Sequence, residues 1–466
     1  MIRAEDFFRI NTEGFYNIEK VSKYNFASAE IDSRRIKDTQ VFFAIKGDNT
    51  DGHKYLKDVF KKGVKLAVVE KKWFLKNKKD FKKSSFIVVE DTILFLGAFA
   101  KKHLEKFKIP VLCIGGSNGK TTTKDLVSCV LSQKYNVLKT EGNFNNHIGL
   151  PLTLLRLNDK HDFVVLEVGC NHFGEIKYLC EIAKPQYGMI TNIGREHLEF
   201  FKTVKGVAKA EFELYDYLRK NNGVCFCNVD DEYIKNYSTK LKKENKFTYS
   251  NKKSADVKGK FVKFNKNFEP ELSISYKKNS FNVTVATFGK HSIVNGLAAA
   301  STGLYFGVSP MKIRKALKEF KPTSTKRMEV IKKNGFTIIN DAYNSNPDSV
   351  KMGLETINEY NTKGNKYAVL SDMLELGKVS KREHRYIGTL AAKLKLGNLF
   401  TTGPESLNTY KSAKGVKNNL YFEKKTDLIS YLKNNISKND VIYVKGSRGM
   451  KMEEVVENLI QNSNAL

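Results

Sequence analysis

The sequence lacks the cysteine spacing of a zinc site. None of its six cysteines belongs to a Cys-x-x-Cys pair, and no cluster of histidines completes a zinc-binding pattern. Two of them alternate along an apparent strand and should therefore face the same side of it. We interpret all six as buried, reduced thiols: Cys113, Cys129, Cys170, Cys180, Cys225 and Cys227.

Long hydrophobic runs are also missing. The most apolar stretch, residues 85–100, is interrupted by Glu90 and Asp91 and is too short to cross a bilayer. Near the first residue the chain carries the acids Glu5 and Asp6, where a secretory signal has a basic stretch before an apolar run. These observations predict a soluble, cytoplasmic protein without membrane insertion.

No nucleic-acid-binding signature accompanies the net charge of +30, although 80 lysines and arginines face only 50 acids. The lysines occur in short scattered pairs, such as Lys61-Lys62 and Lys242-Lys243, and no basic stretch is interleaved with aromatic residues. We therefore expect no nucleic-acid partner. The charge is better suited to attracting polyanionic small substrates such as nucleotides. A compositional bias of the source genome is the other explanation for it.

A chain of 466 residues exceeds what one hydrophobic core organises, so we expect several domains. Patterns separate three α/β regions, residues 1–107, 108–320 and 321–466, the last opening on a candidate linker over 321–325. They predict a three-domain α/β protein with a small first domain, a central parallel sheet and a Rossmann-like third domain. An antiparallel extension is predicted over about 245–290. The predicted strands are 41–45, 66–69, 86–89, 111–114, 163–166, 188–191, 224–226, 337–340, 367–370, 399–401 and 441–444.

The sharpest motif is a glycine-rich turn between a predicted strand and a predicted helix, Gly116-Ser117-Asn118-Gly119-Lys120-Thr121-Thr122. Glycines let the backbone turn tightly and bring N–H groups close to phosphate oxygens, and the N-terminus of the following helix favours the same anion. In such a turn Lys120 reaches the β- and γ-phosphates, and the hydroxyl of Thr121 binds magnesium. The motif predicts a nucleotide-binding site.

Two further residues follow strands that should end at the same edge of the sheet. Glu167 closes the predicted strand 163–166, and the carboxyl ends of parallel strands face the crevice where α/β sheets bind ligands. Beside a phosphate-binding turn, this acid is a natural magnesium ligand. His197 follows the strand at 188–191 and is a candidate to bind a second cation or its water. We predict a magnesium–ATP site with Lys120, Glu167 and His197 as catalytic residues.

These motifs resemble those of the Mur ligase family, and the resemblance runs nearly from end to end. It is greatest to the members that join D-alanyl-D-alanine to a UDP-N-acetylmuramoyl tripeptide, because of two asparagine-rich stretches. The stretches that carry the resemblance are 32–34, 42–47, 51–53, 116–122, 142–153, 167–176, 197–199, His291 with Asn295, Arg327, 340–347 and 445–448.

The resemblance implies an ATP- and Mg²⁺-dependent amide ligase of peptidoglycan synthesis that works through an acyl phosphate as a monomer. It implies that His291 and Asn295 contact adenine, that Arg327 contacts the γ-phosphate and that Asp341 contacts the ribose. The third domain is expected to close on the nucleotide and to bind the incoming dipeptide. Contacts with the substrates are implied for Ser33, Arg34, Lys46, Gly47, Asp51, Gly52, His53, Asn145, Asn146, Asn344 and Asn346.

One departure from the family concerns a second metal. The family has a carbamylated lysine fourteen residues after the histidine, where this chain has Glu211, and Lys209 would point about 200° away on a helix. Glu211 is shorter than the carbamate by roughly 3–4 Å. We hypothesise that it supplies the missing negative charge without carbon dioxide; the rival hypothesis is that the position is vacant and activity is lowered. Smaller departures are Gly115, where threonine is usual, and Arg195-Glu196.

Two alternatives stay open at this point. One is another amide ligase of the same superfamily, of the folylpolyglutamate or cyanophycin synthetase type. The other is a nucleotide-binding scaffold that has lost ligation, which the substitution at Glu211 suggests. The sequence does not distinguish a tripeptide ending in diaminopimelate from one ending in lysine.

Overall fold

The structure is a computed structural model that describes residues 1–47, 50–323 and 325–461. Part of the predicted linker, Ser324, lies outside the described residues. Within the described ranges, no helix has the length and hydropathy that crossing a membrane requires.

The first region is built on a sheet with the strand order β2-β7-β6-β5-β4, parallel except for β2. Alternate residues of its buried strands pack on opposite faces: Phe43 lies against the longest helix of the region, and Phe42 against the two shorter helices. Its elements are β1 (Ile2–Arg3), β2 (Gly14–Tyr16), β3 (Asn25–Phe26), β4 (Ser28–Glu30), β5 (Gln40–Phe43), α1 (Leu56–Lys61), β6 (Leu66–Glu70), α2 (Lys71–Asn77), β7 (Ser85–Val89) and α3 (Thr92–Leu104).

The central region is built on a larger sheet with the order β16-β15-β14-β13-β12-β11-β8-β10-β9. Its elements are β8 (Val111–Gly115), α4 (Lys120–Leu131), β9 (Val137–Lys139), α5 (Gly149–Leu154), β10 (Phe163–Glu167), α6 (Glu175–Ala183), β11 (Tyr187–Ile190), α7 (Leu198–Phe201), α8 (Val204–Glu211), α9 (Glu213–Lys220), β12 (Val224–Asn228), α10 (Glu232–Ser238), β13 (Lys246–Ser250), β14 (Val257–Phe264), β15 (Pro270–Tyr276), β16 (Asn279–Thr284), α11 (His291–Tyr305) and α12 (Pro310–Lys318).

Strand directions in the central sheet decide where polar residues gather. The strands β8, β10 and β11 are parallel neighbours, so the residues that follow each of them meet at one edge. The antiparallel extension predicted from residue 245 is confirmed for β14, β15 and β16. It is wrong for β13, which pairs parallel to β12, because a crossover through α10 returns the chain in the same direction.

The helices α4 and α11 pack against each other at very short range. A Cβ atom placed on Gly303 of α11 would lie 2.4 Å from Cγ1 of Val130 on α4, so only glycine allows this crossing. Both helices begin at the cleft described below, α4 with Lys120 and α11 with His291.

The third region forms a sheet with the order β17-β18-β22-β19-β20-β21, parallel except for β17. The strands predicted in it are confirmed, as is the Rossmann-like arrangement of alternating strands and helices. Its elements are β17 (Glu329–Lys333), β18 (Phe336–Asp341), α13 (Pro347–Glu359), β19 (Lys366–Ser371), α14 (Ser380–Lys393), β20 (Asn398–Thr402), α15 (Ser406–Ser412), β21 (Asn418–Phe422), α16 (Lys425–Asn435), β22 (Val441–Lys445) and α17 (Glu453–Gln461).

The cysteines are free thiols. The prediction of buried thiols is confirmed for four of them, Cys113, Cys180, Cys225 and Cys227. Cys129 and Cys170 are only half-buried. Cys225 and Cys227 belong to one hydrophobic cluster while Phe226 between them belongs to another, which confirms that the pair shares a face.

A buried histidine joins the first region to the central one. His103 of α3 donates from Nε2 to the carbonyl oxygen of Leu157 at 2.9 Å, and its Nδ1 has no hydrogen-bond partner among the described residues. Burial lowers the pKa of His103 to about 4, so the ring stays neutral in the folded protein.

We expect this histidine to make stability depend on pH. An unfolded histidine titrates near pH 6.5. Between about pH 6.5 and 4 the unfolded chain therefore binds a proton that the folded chain does not, and stability falls as the pH is lowered. The His103→Gln variant should lose less stability than the parent between pH 7 and 5, measured as urea midpoints. His172→Gln, at an exposed position, is the control. Equal pH dependence in all three proteins would contradict the prediction.

Candidate active site

All three regions line one cleft of about 1230 Å³. The first region contributes Ile93 and Leu94 at the start of α3. The central region contributes the glycine-rich turn and the ends of β10 and β11, and the third contributes the loop after β18. The predicted site residues that line it are Ser117, Asn118, Gly119, Lys120, Thr121, Thr122, Asn145, Asn146, Glu167, His197, His291, Asn295, Arg327, Asp341, Asn344 and Asn346.

The glycine-rich turn is held by the segment that follows β11. Gly119 adopts φ = 80°, in the left-handed region that glycine favours, and α4 begins at the next residue. The hydroxyl of Ser117 accepts from the N–H of Gly194 at 2.8 Å, and the hydroxyl of Thr191 donates to the carbonyl oxygen of Asn118 at 2.7 Å. These hydrogen bonds hold the glycine-rich turn against the segment after β11.

The ammonium group of Lys120 is half-buried and lies beside carboxylates. Its Nζ donates to the carbonyl oxygen of Gly116 at 2.5 Å and lies 3.4 Å from Oε2 of Glu196. Burial alone lowers the pKa of Lys120, but Glu196, Glu211 and Glu167 outweigh it and raise the pKa above its ordinary value. The side chain therefore carries its positive charge at any physiological pH.

Two oxygens at the cleft fit a magnesium ion. Thr121 Oγ1 and Glu167 Oε2 are buried, line the cleft and have no hydrogen-bond partner among the described residues. Oxygen atoms of this kind are what Mg²⁺ prefers. The other carboxylate oxygen of Glu167 accepts from Nδ2 of Asn145 at 2.9 Å, which orients the group. Within the described chain, no group of three or more His, Cys, Asp or Glu side chains is close enough to hold a metal alone, so phosphate or water would complete the shell.

Glu167 also has a buried cation behind it. Nζ of Lys124 lies 3.9 Å from Oε2 of Glu167 and 3.4 Å from Oδ1 of Asp125, and its side chain is 1% exposed. Lys124 follows Lys120 by one helical turn, so both side chains project from the same face of α4. The sequence interpretation missed this residue, although the spacing of the two lysines signals it.

His197 stands at the start of α7 and contacts the third region. Its φ of 47° lies in the left-handed region, which is uncommon for residues other than glycine and marks a constrained backbone. Its Nδ1 is 2.5 Å from Oε2 of Glu375. Burial lowers the pKa of His197, but the contact with Glu375 and the charge of Glu196 raise it overall. The imidazole thus contacts a carboxylate of the third region, and no pattern in the sequence indicates Glu375 as its partner.

The third region places a cation–π pair and a hydrogen-bonded aspartate at the cleft. The guanidinium carbon of Arg327 lies 3.8 Å from the ring centre of Tyr343. Oδ2 of Asp341 accepts from Nζ of Lys445 at 2.6 Å and from the hydroxyl of Tyr443 at 3.1 Å. Both predicted nucleotide contacts therefore face the cleft in fixed orientations.

Direct bonds join the third region to the turn. Nδ2 of Asn346, the N-cap of α13, donates to Oδ1 of Asn118 at 2.9 Å. Arg195 pairs with Asp348 at 2.5 Å and with Glu383 at 2.9 Å. Arg195 stood out in the sequence only as a departure from the family, because its partners are more than 150 residues away.

The remaining asparagines have local partners as well. Oδ1 of Asn146 accepts from the backbone of Gly149 at 2.9 Å, and Oδ1 of Asn344 accepts from that of Ser345 at 2.8 Å. Among the described residues the side-chain NH₂ group of each has no hydrogen-bond partner, so both can donate to a ligand in the cleft. These donors are suited to the carboxylates and carbonyls of a peptide.

The start of α11 lies on the other side of the turn. Burial lowers the pKa of His291 to about 4, so its imidazole is neutral. Nδ2 of Asn295 is buried without a hydrogen-bond partner within the described chain, and a Cβ on Gly119 would lie 2.8 Å from its Oδ1. A neutral ring and an amide against the turn can contact a nucleotide base.

Glu211, the predicted ligand of a second metal, points at the turn. It is 1% exposed, and its Oε2 accepts from the N–H of Gly116 at 2.6 Å. Burial raises the pKa of Glu211 to about 7, opposed by the charge of Lys120. It does not line the cleft, whereas Glu167 and His197 do.

The predicted substrate residues of the first region lie apart from the lining of the cleft: Ser33, Arg34, Lys46, Gly47, Asp51, Gly52 and His53. Arg34 pairs with Asp32 at 2.7 Å and holds the pKa of that carboxyl at about 2. His53 is buried, with Nδ1 at 2.7 Å from Asp51 and Nε2 accepting from the N–H of Glu70. Both ring nitrogens of His53 thus have partners inside the fold, and its predicted contact with substrate stays a prediction.

Comparison with known families assigns every region. "Mur ligase family, catalytic domain" matches residues 26–103, "Mur ligase middle domain" matches 114–303, and "Mur ligase, glutamate ligase domain" matches 326–448. These matches confirm the family that the sequence motifs resemble.

Individual proteins are similar over nearly their whole length. The UDP-N-acetylmuramoyl-tripeptide–D-alanyl-D-alanine ligase of Bacillus subtilis (strain 168) is 36% identical over 441 residues, 92% of each chain. A crystal structure of MurF from Acinetobacter baumannii superposes with a TM-score of 0.87 at 27% identity, covering 99% of both chains. MurF ligase from Thermotoga maritima, solved with ADP, gives 0.80 at 26% identity, covering 93% of this chain and 97% of that one. Similarity of this extent has one meaning: the chain belongs to the Mur ligase family.

Proposed function

We propose that the protein is an ATP-dependent ligase that adds D-alanyl-D-alanine to a UDP-N-acetylmuramoyl tripeptide, forming the pentapeptide precursor of peptidoglycan. The observation that carries the proposal is the pair of buried oxygens, Thr121 Oγ1 and Glu167 Oε2, which have no hydrogen-bond partner in the described chain and face a cleft lined by all three regions. The choice of these two substrates is supported by the relative from Bacillus subtilis, whose name contains both of them.

The chemistry has two steps. The tripeptide carboxylate attacks the γ-phosphorus of ATP, which gives an acyl phosphate and ADP; the dipeptide amine then attacks the acyl carbon, loses a proton and displaces phosphate. Lys120 holds the transferred phosphoryl group. Thr121 and Glu167 would hold Mg²⁺, which would supply positive charge to the phosphate oxygens. The enzyme contributes positioning and charge neutralisation rather than a covalent bond.

The remaining cleft residues position the substrates. His291 and Asn295 contact the adenine, Arg327 the γ-phosphate and Asp341 the ribose. His197 contributes by tying the third region to the central one through its contact with Glu375. The side-chain amides that face peptide substrates are Asn145, Asn146, Asn344 and Asn346.

We assign the regions separate tasks. Residues 1–107 bind the UDP end of the tripeptide substrate, 108–320 bind ATP, and 321–466 close on ATP and bind the dipeptide. The protein acts as a monomer in the cytoplasm.

An assay of phosphate release tests the proposal. The purified protein is given ATP, Mg²⁺, D-alanyl-D-alanine and one of two tripeptides, ending in diaminopimelate or lysine. We expect one phosphate for each pentapeptide detected by mass spectrometry, and none when either peptide substrate is left out. The tripeptide that supports turnover identifies the third residue. Binding of ATP without release from either tripeptide would overturn the proposal in favour of a scaffold. Turnover only with a folate and glutamate would favour the folylpolyglutamate type.

A further inference from the structure

Glu211 is the last residue of α8, and its carboxylate reaches the glycine-rich turn. Its Oε2 accepts from the backbone N–H of Gly116 at 2.6 Å. An N–H bond to a carboxylate is stronger than one between neutral groups. The next turn residue, Ser117, is bonded through its own N–H to the carbonyl oxygen of Asn192 at 2.9 Å. The entrance of the turn is thus held from two sides, by α8 and by the segment after β11.

Gly115 makes room for this carboxylate. A Cβ atom at Gly115 would lie 2.6 Å from Oε2 of Glu211, closer than real Cβ contacts allow. The φ of Gly115 is not in the left-handed region, so space rather than backbone conformation requires glycine here. The two departures from the family in this area, Gly115 and Glu211, therefore meet at a single contact.

The contact leads to the ammonium group that binds phosphate. The N–H of Gly116 is bonded by Glu211, and its carbonyl oxygen accepts from Nζ of Lys120 at 2.5 Å. Gly116 itself has φ = 113°, and a Cβ on it would lie 2.3 Å from Oγ1 of Thr191. The peptide groups on either side of Gly116 cannot shift without breaking one of these contacts.

We propose that Gly115 and Glu211 are a matched pair in which Glu211 is a positioning residue that anchors the phosphate-binding turn through Gly116. The anchor is a hydrogen bond to the backbone, so it acts on nucleotide binding whether or not magnesium is present. It rests on the proposed function only in requiring that the turn binds a nucleotide.

Substitutions of Glu211 test the hydrogen bond. The affinity for ATP is measured by calorimetry in EDTA, without divalent metal. Glu211→Ala removes the acceptor and should weaken binding about tenfold, whereas Glu211→Gln keeps an acceptor oxygen and should stay within about threefold of the parent. Equal losses for the two variants would overturn the proposal, because a role through charge alone, including metal ligation, does not distinguish glutamine from alanine.

A double-mutant cycle tests the pairing. Gly115→Ala should weaken ATP binding about tenfold and lower the Tm, because the added Cβ displaces the carboxylate. Glu211→Asp retracts the carboxylate by one methylene, about 1.5 Å. The double variant should bind ATP at least about threefold more tightly than Gly115→Ala alone. Gly397→Ala, where a Cβ meets nothing within 4 Å, is the control and should match the parent.

The outcomes separate this inference from the proposed function. Additive effects in the cycle, with normal ATP binding by the parent, would overturn the matched pair and leave the ligase intact. If Gly115→Ala fails to fold, recovery of a cooperative melt in the double variant becomes the readout, and an unfolded double variant counts against the pair. A parent protein that ligates the peptides but shows no coupling retains only the proposed function.

Discussion

Lys120→Ala should reduce the rate of ATP-dependent phosphate release at least about 100-fold. Its ammonium group is half-buried and carries its charge because Glu196, Glu211 and Glu167 outweigh the effect of burial. It lies on the turn that we propose binds phosphate. Charge aimed at a transferred phosphoryl group stabilises the transition state more than the ground state, so kcat should fall more than KM rises. The measurement is steady-state phosphate release as a function of ATP concentration, which gives kcat and KM separately.

The control for this substitution is Lys134→Ala. Lys134 is an exposed lysine just beyond the far end of α4, where it donates to the carbonyl oxygen of Phe306. Its removal takes one positive charge from the protein without touching the glycine-rich turn and should leave the rate unchanged. A Lys120→Ala variant that keeps more than a tenth of the parent rate would refute the assigned role.

Arg195→Ala should loosen the third region from the central one. The guanidinium lies 2.5 Å from Asp348 and 2.9 Å from Glu383, and it stacks over the ring of Tyr386 at 4.5 Å. Glu383 is buried, so removing Arg195 withdraws one of its cationic partners. Removing one partner of a buried charge pair costs about 2–5 kcal/mol. We expect a cost on the order of 2 kcal/mol here, because Asp348 is partly exposed.

A change of that size shifts the equilibrium between joined and separated regions about 30-fold. We expect a larger radius of gyration by small-angle X-ray scattering and a kcat/KM for ATP lowered about tenfold or more, since Arg327 and Asp341 lie in the region that moves away. Arg195→Lys keeps the charge without the planar fork and should give an intermediate effect. Unchanged scattering together with unchanged kinetics would show that the contact does not hold the regions together.

Local sequence patterns predicted most strands and the glycine-rich turn correctly, because burial and backbone conformation act over a few neighbouring residues. The apolar run at 111–114 is a strand because both of its faces are buried, and the glycine-rich turn follows it at once. Glu167 was predicted as a site residue because it ends a parallel strand, and the carboxyl ends of parallel strands lie at the edge of the sheet where ligands bind. The parallel direction of β13 was missed because the helix before it, α10, was not recognised in the sequence; a strand that follows a crossover helix returns parallel to the one before it.

The site was less predictable where it is assembled from distant segments. Glu375 lies 178 residues after His197, and neither sequence neighbourhood indicates that the two meet. Asp348 and Arg195 are likewise 153 residues apart. Glu211 was found by counting from a motif, but its aim at the backbone of Gly116 follows from the geometry of α8 and from the missing side chain at Gly115.

The close crossing of α4 and α11 has a consequence for the entropy of nucleotide binding. Lys120 begins one helix and His291 the other, and the contact between Gly303 and Val130 leaves no space for the helices to slide. The distance between the phosphate end and the base end of the site is thus fixed before a nucleotide binds. A ligand of matching length binds without first ordering these two helices relative to each other, so they add little to the conformational cost of binding.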